Sequence, residues 1–502
     1  MKKRTKASRG HVLLAIDQGT TGTKALLVDR KLKIVAEHSM EFPQHFPRPG
    51  WVEHDVEEIF RSVRSTVRRV LSSASVAPKN IAAIGITNQR ETTVVWDKKT
   101  GKTIYPAIVW QDRRTAPICD KLKTMGAEPL IRRKTGLVVD PYFSGTKIAW
   151  ILDKVSGARA RAKAGHLLFG TIDSYLVWRL TGGKLHVTDI SNASRTLLMD
   201  LKSCRWNREL CQTVKVPEAM LPEIQPNDGD FGVTSGLGFL PDGIPIASVI
   251  GDQQSALFGQ ACFAQGEAKC TYGTGGFVMV NTGQKIVRSR HGVLSTAAWR
   301  LRNRPVYALE GSAFVAGAIV QWLRDGLKII RSASKIEALA ATVEDAGGVV
   351  FVPALTGLGA PYWDPEAQGL ISGITRGTTD GHVARAALEG IAFQIHDLVT
   401  AMESDIGRRL RNLKVDGGAS LNNLLMQFQA DILRLRVVRP TTISTTALGA
   451  ALMAGLSVGL YPSLSAIRDA WTEDRTFRAA MHRTRVKAHL ARWGKALDRT
   501  QL

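Results

Sequence analysis

The stretch DQGTTGTK, residues 17–24, lies between two short apolar runs, VLLAI at 12–16 and ALLV at 25–28. Apolar runs on both sides of a Gly- and Thr-rich turn predict a β-hairpin. Glycine opens the φ > 0 region, and threonine hydroxyls with exposed backbone N–H groups donate hydrogen bonds of the kind that wrap a phosphate. Asp17 at the start of the turn suits a magnesium ion, and Lys24 at its end supplies a positive charge within reach of a polyphosphate. For this turn taken alone, an ordinary surface hairpin is the alternative.

A second hairpin of the same kind follows at residues 268–280, AKCTYGTGGFVMV. Between and after the two hairpins, strand patterns alternate with amphipathic helices such as those at 56–70 and 384–402, which is typical of an α/β layer architecture. A chain of 502 residues also exceeds what one core usually organises. We therefore predict a duplicated fold that holds a nucleotide between its halves. The expected divisions are a disordered basic tail at 1–10, an N-terminal domain at 11–262 and a C-terminal domain at 263–502.

The charge of the chain is strongly positive, with 67 Lys and Arg against 44 Asp and Glu, or +23 with His neutral. Such a surface attracts anions, including nucleotides and nucleic acid. The basic clusters, for example those at 61–69 and 475–492, do not alternate with aromatic residues as a single-strand binding groove would. We therefore expect solvated basic faces rather than a nucleic-acid partner.

The cysteines and the apolar runs indicate the compartment. Five cysteines form no CxxC pair, which favours a reducing environment. The longest weakly polar run, residues 447–460, is too short to span a membrane, and the basic tail lacks the apolar run of a signal peptide. We therefore expect a cytoplasmic protein without membrane insertion.

Three further blocks combine a strand end with polar or glycine residues: ITNQRETT at 86–93, GDQQ at 251–254 and DGGAS at 416–420. Glycines between a strand and a helix allow a ligand phosphate to approach the backbone and the helix N-terminus. The last block precedes a predicted helix over 422–433. Another helix, rich in small residues, is predicted over 313–322.

In this order, from residue 17 to about residue 459, the motifs resemble those of the glycerol-kinase branch of the FGGY carbohydrate-kinase family. The series also includes blocks at 140–150, 272–277 and 361–365. The triplet at 89–91 is its specific part, because family members that act on five-carbon sugars usually differ there. The resemblance implies two ribonuclease-H-like domains, the ATPase core of actin and hexokinase, with the active site in the cleft between them. It also implies ATP-dependent phosphorylation of glycerol to sn-glycerol 3-phosphate by a homodimer or homotetramer.

The positions that match the family's polyol site can be read physically. A small polyol needs several hydrogen-bonding groups and a wall for its C–H edge. Arg90 and Glu91 would bind two hydroxyls, which requires the chain to bend after Thr87, because neighbouring strand residues point to opposite faces. The alternatives are a solvated ion pair for Arg90-Glu91 and a core aromatic for Trp110. The implied substrate residues are Arg90, Glu91, Trp110, Tyr142, Asp252, Gln253 and Phe277.

Asp252 is the implied catalytic residue, since a carboxylate that accepts the proton of the attacking hydroxyl also orients it for in-line transfer. A cap for a helix beginning at Gln253 is its alternative role. Asp17 matches the magnesium-associated aspartate and would act through water. The remaining matches surround ATP in the family: Thr20, Thr21, Gly22, Lys24, Thr274, Gly317, Gln321, Gly418 and Asn422.

Some positions depart from the family pattern. Lys24 stands where arginine is frequent, which keeps the charge but loses the planar fork. The loop at 235–244 lacks the arginine and most glycines with which well-known bacterial members bind a sugar-bisphosphate regulator, so we do not expect that regulation. The open alternatives are another small polyol or a ketose such as dihydroxyacetone as substrate, and a nucleotide-dependent binding module without kinase activity.

Overall fold

The computed structural model describes residues 12–501, and the basic tail at 1–10 lies outside the described residues. The strands and helices of the first half alternate as expected. They are β1 (Val12–Gln18), β2 (Gly22–Asp29), β3 (Ile34–Glu41), β4 (Glu53–His54), α1 (Val56–Ser73), β5 (Ile81–Asn88), β6 (Val94–Asp97), β7 (Ala107–Ile108), α2 (Ala116–Thr124), α3 (Glu128–Thr135), α4 (Ser144–Lys154), α5 (Ala158–Lys163), β8 (Leu167–Gly170), α6 (Ile172–Leu180), β9 (Val187–Asp189), α7 (Ile190–Ala193), β10 (Met199–Asp200), β11 (Arg205–Trp206), α8 (Arg208–Val214), β12 (Glu223–Gln225), β13 (Ile246–Gly251) and α9 (Asp252–Gly259).

The elements of the second half begin with the second hairpin. They are β14 (Ala268–Tyr272), β15 (Gly276–Gly283), β16 (Leu294–Leu301), β17 (Arg304–Ala313), α10 (Gly317–Asp325), α11 (Ile336–Ala340), β18 (Val350–Val352), β19 (Leu370–Ser372), α12 (Asp380–Ile406), β20 (Asn412–Asp416), α13 (Asn423–Leu433), β21 (Arg436–Pro440), α14 (Thr445–Ser457), α15 (Leu464–Ala470), β22 (Glu473–Phe477) and α16 (Arg483–Thr500).

Both expected hairpins are present, and each heads a sheet. The first sheet has the strand order β13-β5-β1-β2-β3, and the second has the order β16-β17-β15-β14-β20-β21-β22. In the first hairpin Asp17 pairs with Lys24, and in the second Tyr272 pairs with Gly276. The apolar run of β1 is continuous because this strand is central and buried.

The two sheets share one arrangement of five strands. The order β13-β5-β1-β2-β3 corresponds to β21-β20-β14-β15-β17. The hairpin strands pair antiparallel in both sheets, and β5 and β20 each run parallel to the first strand of the hairpin. Strands β13 and β21 continue each sheet in parallel. The repeat confirms the duplicated α/β fold, with β16 and β22 as additional edge strands.

Helix α14 places a small-residue surface against the first sheet. A Cβ at Gly85 of β5 would lie 2.2 Å from the carbonyl oxygen of Ala450, and one at Gly449 would lie 1.9 Å from that of Ser255 in α9. These backbones approach too closely for any side chain, which explains the run of small residues at 447–460. Since α14 belongs to the second half of the chain, its packing against β5 and α9 joins the two halves.

Helix α1 follows its expected pattern. Its side chains Val56, Val63, Val67 and Val70 are buried, and Asp55 caps its N-terminus by accepting from the backbone N–H of Glu57 at 2.7 Å. None of the helices within residues 12–501 is long and apolar enough to cross a membrane.

The helix predicted over 313–322 begins later in the structure. Ala313 is the last residue of β17, and α10 starts at Gly317. Ala316 and Ala318 donate backbone hydrogen bonds to the carbonyl oxygen of Thr274 at 2.8 and 3.0 Å. The first turn of α10 is therefore fixed to the second Gly- and Thr-rich turn, an interaction that composition alone does not indicate.

Candidate active site

The carboxyl ends of the parallel strands bring the sequence motifs together in one cleft. Asp17 is the penultimate residue of β1. Arg90 follows β5, Asp252 follows β13, and Gly418 follows β20. Two cavities lie along these strand ends, and both are lined by Gly273 and Thr274 of the second turn. Ligands in open α/β sheets bind at this edge, so the cleft is the candidate active site.

The smaller cavity has a volume of about 190 Å³. It is lined by all seven predicted substrate residues, namely Arg90, Glu91, Trp110, Tyr142, Asp252, Gln253 and Phe277. Thr20 and Thr21 of the first turn line it as well. The cavity therefore joins the polar and aromatic residues of the motifs to the first Gly- and Thr-rich turn.

Arg90 forms the charged centre of this cavity. Its Nη1 and Nη2 atoms donate to the two carboxylate oxygens of Glu310 at 2.5 and 2.7 Å. Its Nε atom lies 3.0 Å from Oδ1 of Asp252. Burial opposes the charged carboxylate of Glu310, but Arg195 and Arg90 outweigh that effect and lower its pKa to about 2. The guanidinium is thus held in a fixed plane by a residue from the second sheet.

Glu91 is held by a second arginine. Its Oε1 atom accepts from Nε of Arg195 at 2.6 Å, and the side chain is buried. Glu91 has a positive φ of 62°, a backbone conformation that is uncommon for residues with a side chain. The expected bend therefore occurs, but at Glu91 rather than directly after Thr87, because β5 continues through Asn88. The bend lets Arg90 and Glu91 line the same cavity.

Three aromatic residues form one wall of the cavity. The ring centroids of Trp110 and Tyr142 are 5.6 Å apart, and those of Trp110 and Phe277 are 6.3 Å apart, both in edge-to-face arrangements. Trp110 also donates from Nε1 to the hydroxyl of Thr20 at 2.8 Å. An apolar wall opposite charged groups matches the needs of a short polyol.

Asp252 is the first residue of α9 and is partly exposed to the cleft. Burial raises the pKa of its carboxyl group, whereas the nearby Arg90 lowers it. Its Oδ1 atom accepts from the backbone N–H of Gln253 at 2.6 Å. The alternative role as a helix cap is wrong, because the helix begins at Asp252 itself, its N-cap residue is Gly251, and no side chain caps it.

The larger cavity has a volume of about 550 Å³ and lies against the second sheet. Five of the predicted nucleotide residues line it, namely Thr274, Gly317, Gln321, Gly418 and Asn422. Asn422 caps α13 by accepting from the backbone N–H of Leu425 at 2.9 Å. A Cβ at Gly418 would meet no atom within 4 Å, so this position opens directly to the cavity. The N-termini of α10 and α13 therefore border one space that suits a nucleotide.

Two of the predicted nucleotide residues in the first turn, Gly22 and Lys24, lie outside both cavity linings. Lys24 donates to the hydroxyl of Ser444 at 2.9 Å, and its Nζ is 4.0 Å from Glu37. A Cβ at Gly22 would lie 2.8 Å from the carbonyl oxygen of Met40, so the close strand β3 requires glycine there. Thr20 and Thr21 are the residues of this turn that line the smaller cavity.

Asp17 lies at the end of β1, and burial together with the neighbouring Asp252 raises the pKa of its carboxyl group to about 7, although Lys24 lowers it. Within residues 12–501, this carboxylate has neither a hydrogen bond nor an ion pair within 4 Å. The same part of the chain contains no group of three or more acidic, His or Cys side chains that could enclose a metal. A lone carboxylate fits Mg²⁺, which keeps several waters and takes ligands from phosphates.

Three buried residues of the site were missed in the sequence. They are Arg195, Lys269 and Glu310, which contact Glu91, Gln253 and Arg90 respectively. Lys269 and Glu310 are each flanked by apolar residues in a buried stretch of strand, a pattern that could have marked them. Arg195 lies outside the strands and helices, where no local pattern distinguishes it from a surface arginine.

Comparisons with known proteins agree with this arrangement. The models for the N-terminal and C-terminal domains of the FGGY family of carbohydrate kinases match residues 12–259 and 268–458. The glycerol kinase of Myxococcus xanthus (strain DK1622) is 57% identical over 489 residues, covering 97% of this chain and 99% of that protein. The glycerol kinase of Ralstonia nicotianae is 55% identical, with 98% of both chains covered.

Solved structures show the same fold. The crystal structure of Plasmodium falciparum glycerol kinase with ADP matches with a TM-score of 0.89 and 38% identity, over 98% of both chains. The ligand-bound xylulose kinase from Lactobacillus acidophilus matches with a TM-score of 0.84 at 23% identity, over 97% of both chains. The likeness to the xylulose kinase shows the fold alone, whereas the likeness to the Plasmodium protein is to one named as a glycerol kinase.

Proposed function

This chain belongs to the FGGY family of carbohydrate kinases, and we propose that it transfers the γ-phosphoryl group of ATP to a terminal hydroxyl of glycerol, giving sn-glycerol 3-phosphate. The observation that carries this proposal is the smaller cavity of about 190 Å³, hereafter the polyol cavity, where Arg90, Glu91 and Asp252 face an aromatic wall. Its size and mixed lining suit a three-carbon polyol. Full-length relatives named glycerol kinase, at 53–57% identity, support the same substrate.

The proposed chemistry is phosphoryl transfer by positioning. Asp252 accepts the proton of the attacking hydroxyl and orients its oxygen in line with the γ-phosphate. Arg90 donates to one hydroxyl of glycerol and Glu91 accepts from another, while Trp110 and Phe277 cover the C–H edge. Closure of the two halves excludes water, which suppresses wasteful hydrolysis of ATP.

The nucleotide site is proposed from the larger cavity and the two turns. Gly317, Gln321, Gly418 and Asn422 would surround the adenosine end, and Thr274 would contact the phosphates from the second half. Thr20, Thr21, Gly22 and Lys24 would act from the first turn, with Lys24 contributing charge rather than direct contact. Asp17 would hold Mg²⁺ through water, and the ion would neutralise phosphate charge during transfer.

Two further expectations belong to this proposal. The five cysteines are buried and unpaired, which supports a reducing compartment and hence the cytoplasm. The family resemblance supports a homodimer or homotetramer.

A coupled ADP-release assay tests the proposed function with glycerol, dihydroxyacetone, erythritol, ribitol and xylulose as acceptors. Glycerol should stimulate ADP release most strongly. Stronger stimulation by a longer polyol or a ketose would support another FGGY substrate, and ATP hydrolysis unaffected by any acceptor would support a nucleotide-dependent binding module.

A further inference from the structure

We propose that Lys269 is a positioning residue for the polyol: it orients the side-chain amide of Gln253 so that the NH₂ group donates to a substrate oxygen. The inference rests on the proposed function and concerns a residue that has no contact with the substrate itself. Neither the predicted site residues nor the proposed reaction explains why a lysine is buried at this position.

The contact between the two residues is short and buried. Lys269 lies in β14, between Ala268 and Cys270, and its side chain is fully buried. Its Nζ atom donates to Oε1 of Gln253 at 2.5 Å and to the hydroxyl of Thr271 at 2.8 Å. Burial of an ammonium group costs free energy unless the group is paired, so a lysine in a central strand must be compensated by hydrogen bonds and opposite charges.

The charges around Lys269 favour its protonated form. Burial lowers the pKa of its amino group below the ordinary value for lysine, and four neighbours offset part of this effect: Asp416, Cys270, Asp252 and Glu310. Three of these neighbours are carboxylic acids that converge from β20, α9 and β17. The ammonium group of Lys269 therefore faces three acidic side chains beside Gln253.

The chemistry of the contact fixes the direction of the amide. An ammonium group has three donors and no acceptor, so it can meet only the oxygen of the Gln253 side chain. The nitrogen must then point away from Lys269, and Gln253 lines the polyol cavity. Within residues 12–501, the side chain of Gln253 makes this one hydrogen bond through Oε1 and none through Nε2. Gln253 thus offers a donor to the cavity, which complements the acceptors of Glu91 and Asp252.

The contact also joins the two halves of the chain. Gln253 belongs to α9, which follows the first sheet, whereas Lys269 belongs to the second sheet. The orientation of the amide consequently depends on the two sheets being together. A donor placed in this way should strengthen binding of the polyol without affecting binding of ATP alone.

A double-mutant cycle tests this role in the full-length protein, with Lys269→Met, Gln253→Leu and the double variant. Lys269→Met should raise the KM for glycerol about tenfold, the scale of one hydrogen bond, and change the KM for ATP by less than about threefold. Gln253→Leu should have a similar effect, and the double variant should be no worse than either single variant. Lys414→Met is the matched control, because Lys414 pairs with Lys269 in the neighbouring strand but donates to the carbonyl oxygen of Gln260.

Gln253→Glu provides a second test that leaves Lys269 in place, in case Lys269→Met does not fold. The new carboxylate can still accept from Lys269 but cannot donate, so glycerol affinity measured by calorimetry should fall about as much as in Gln253→Leu. Retained affinity in Gln253→Glu, or additive effects in the cycle, would overturn the inference. Failure of the proposed function is distinct, because it would be seen in the wild-type protein as absent stimulation by glycerol.

Discussion

The indole Nε1 of Trp110 lies 2.8 Å from the hydroxyl oxygen of Thr20, so one hydrogen bond joins the wall of the polyol cavity to the first Gly- and Thr-rich turn. The two residues are 90 positions apart in the chain. The bond is partly buried, and it connects the residue proposed to cover glycerol with one proposed to hold phosphate. The aromatic wall of the cavity and the first Gly- and Thr-rich turn are therefore physically linked in this structure.

Trp110→Phe tests this link, because phenylalanine keeps an apolar wall but removes the donor. We expect an increase of about threefold to tenfold in the KM for ATP, since loss of a single hydrogen bond costs on the order of 1 kcal/mol. Thr20→Val should act similarly, and the double variant should show little further change. Effects that simply add would contradict the link, and steady-state kinetics at saturating glycerol distinguish the two outcomes.

Asp252→Asn tests the assignment of the general base. The amide keeps the shape of the side chain but cannot accept the proton, so kcat should fall at least ~100-fold, the scale of general-base catalysis. Nucleotide affinity, measured by calorimetry with ADP, should stay near the wild-type value. Asp325→Asn, at an exposed position paired with Arg324, is the control and should leave kcat unchanged. Near-normal turnover in Asp252→Asn would contradict the assignment.

Glu310→Gln tests the structural role of the buried acid that was missed in the sequence. The substitution leaves Arg90 and Arg195 without a full counter-charge, and breaking a buried ion pair in this way costs about 3 kcal/mol or more. The free energy of unfolding in urea should fall by about that amount, and the KM for glycerol should rise because Arg90 loses its fixed plane. Glu473→Gln, in the exposed edge strand β22, serves as the control for both measurements.

The pH dependence of activity should follow the carboxyl group of Asp252, which must be ionised to act as a base. Burial raises its pKa, Arg90 and Lys269 lower it, and the carboxyl groups of Glu310 and Asp17 also face it. The value of kcat/KM should therefore fall as the pH decreases through a pKa above that of an ordinary aspartate. Lys269→Met removes a positive charge that lowers this pKa, so the acid limb should move to higher pH. An acid limb at the same pH in both proteins would contradict this electrostatic account.

The sequence predicted the architecture because its signals are local. Both hairpins and the apolar face of α1 depend on residues within a few positions of one another. The predicted start of α10 at residue 313 was wrong because long-range backbone hydrogen bonds to Thr274 fix where the helix begins. Local composition at 313–322 fits a helix, but the strand β17 extends through Ala313 to complete the second sheet.

The sequence predicted the site residues that lie in the family motifs. It missed the buried residues that hold them in place. Arg90 and Glu91 form a recognisable triplet with Gln89, whereas Glu310 and Arg195 reach them from 220 and 104 positions away. No local sequence pattern indicates contacts between residues so far apart in the chain. The sequence also could not indicate that Lys24 binds Ser444 rather than lining either cavity, because that contact spans 420 positions.

The central claim is tested most directly by ADP release from the purified wild-type protein with Mg²⁺ and ATP, measured with and without glycerol. We predict stimulation by glycerol that exceeds the stimulation by erythritol, ribitol and xylulose, together with formation of sn-glycerol 3-phosphate. ADP release that does not respond to glycerol would contradict the account.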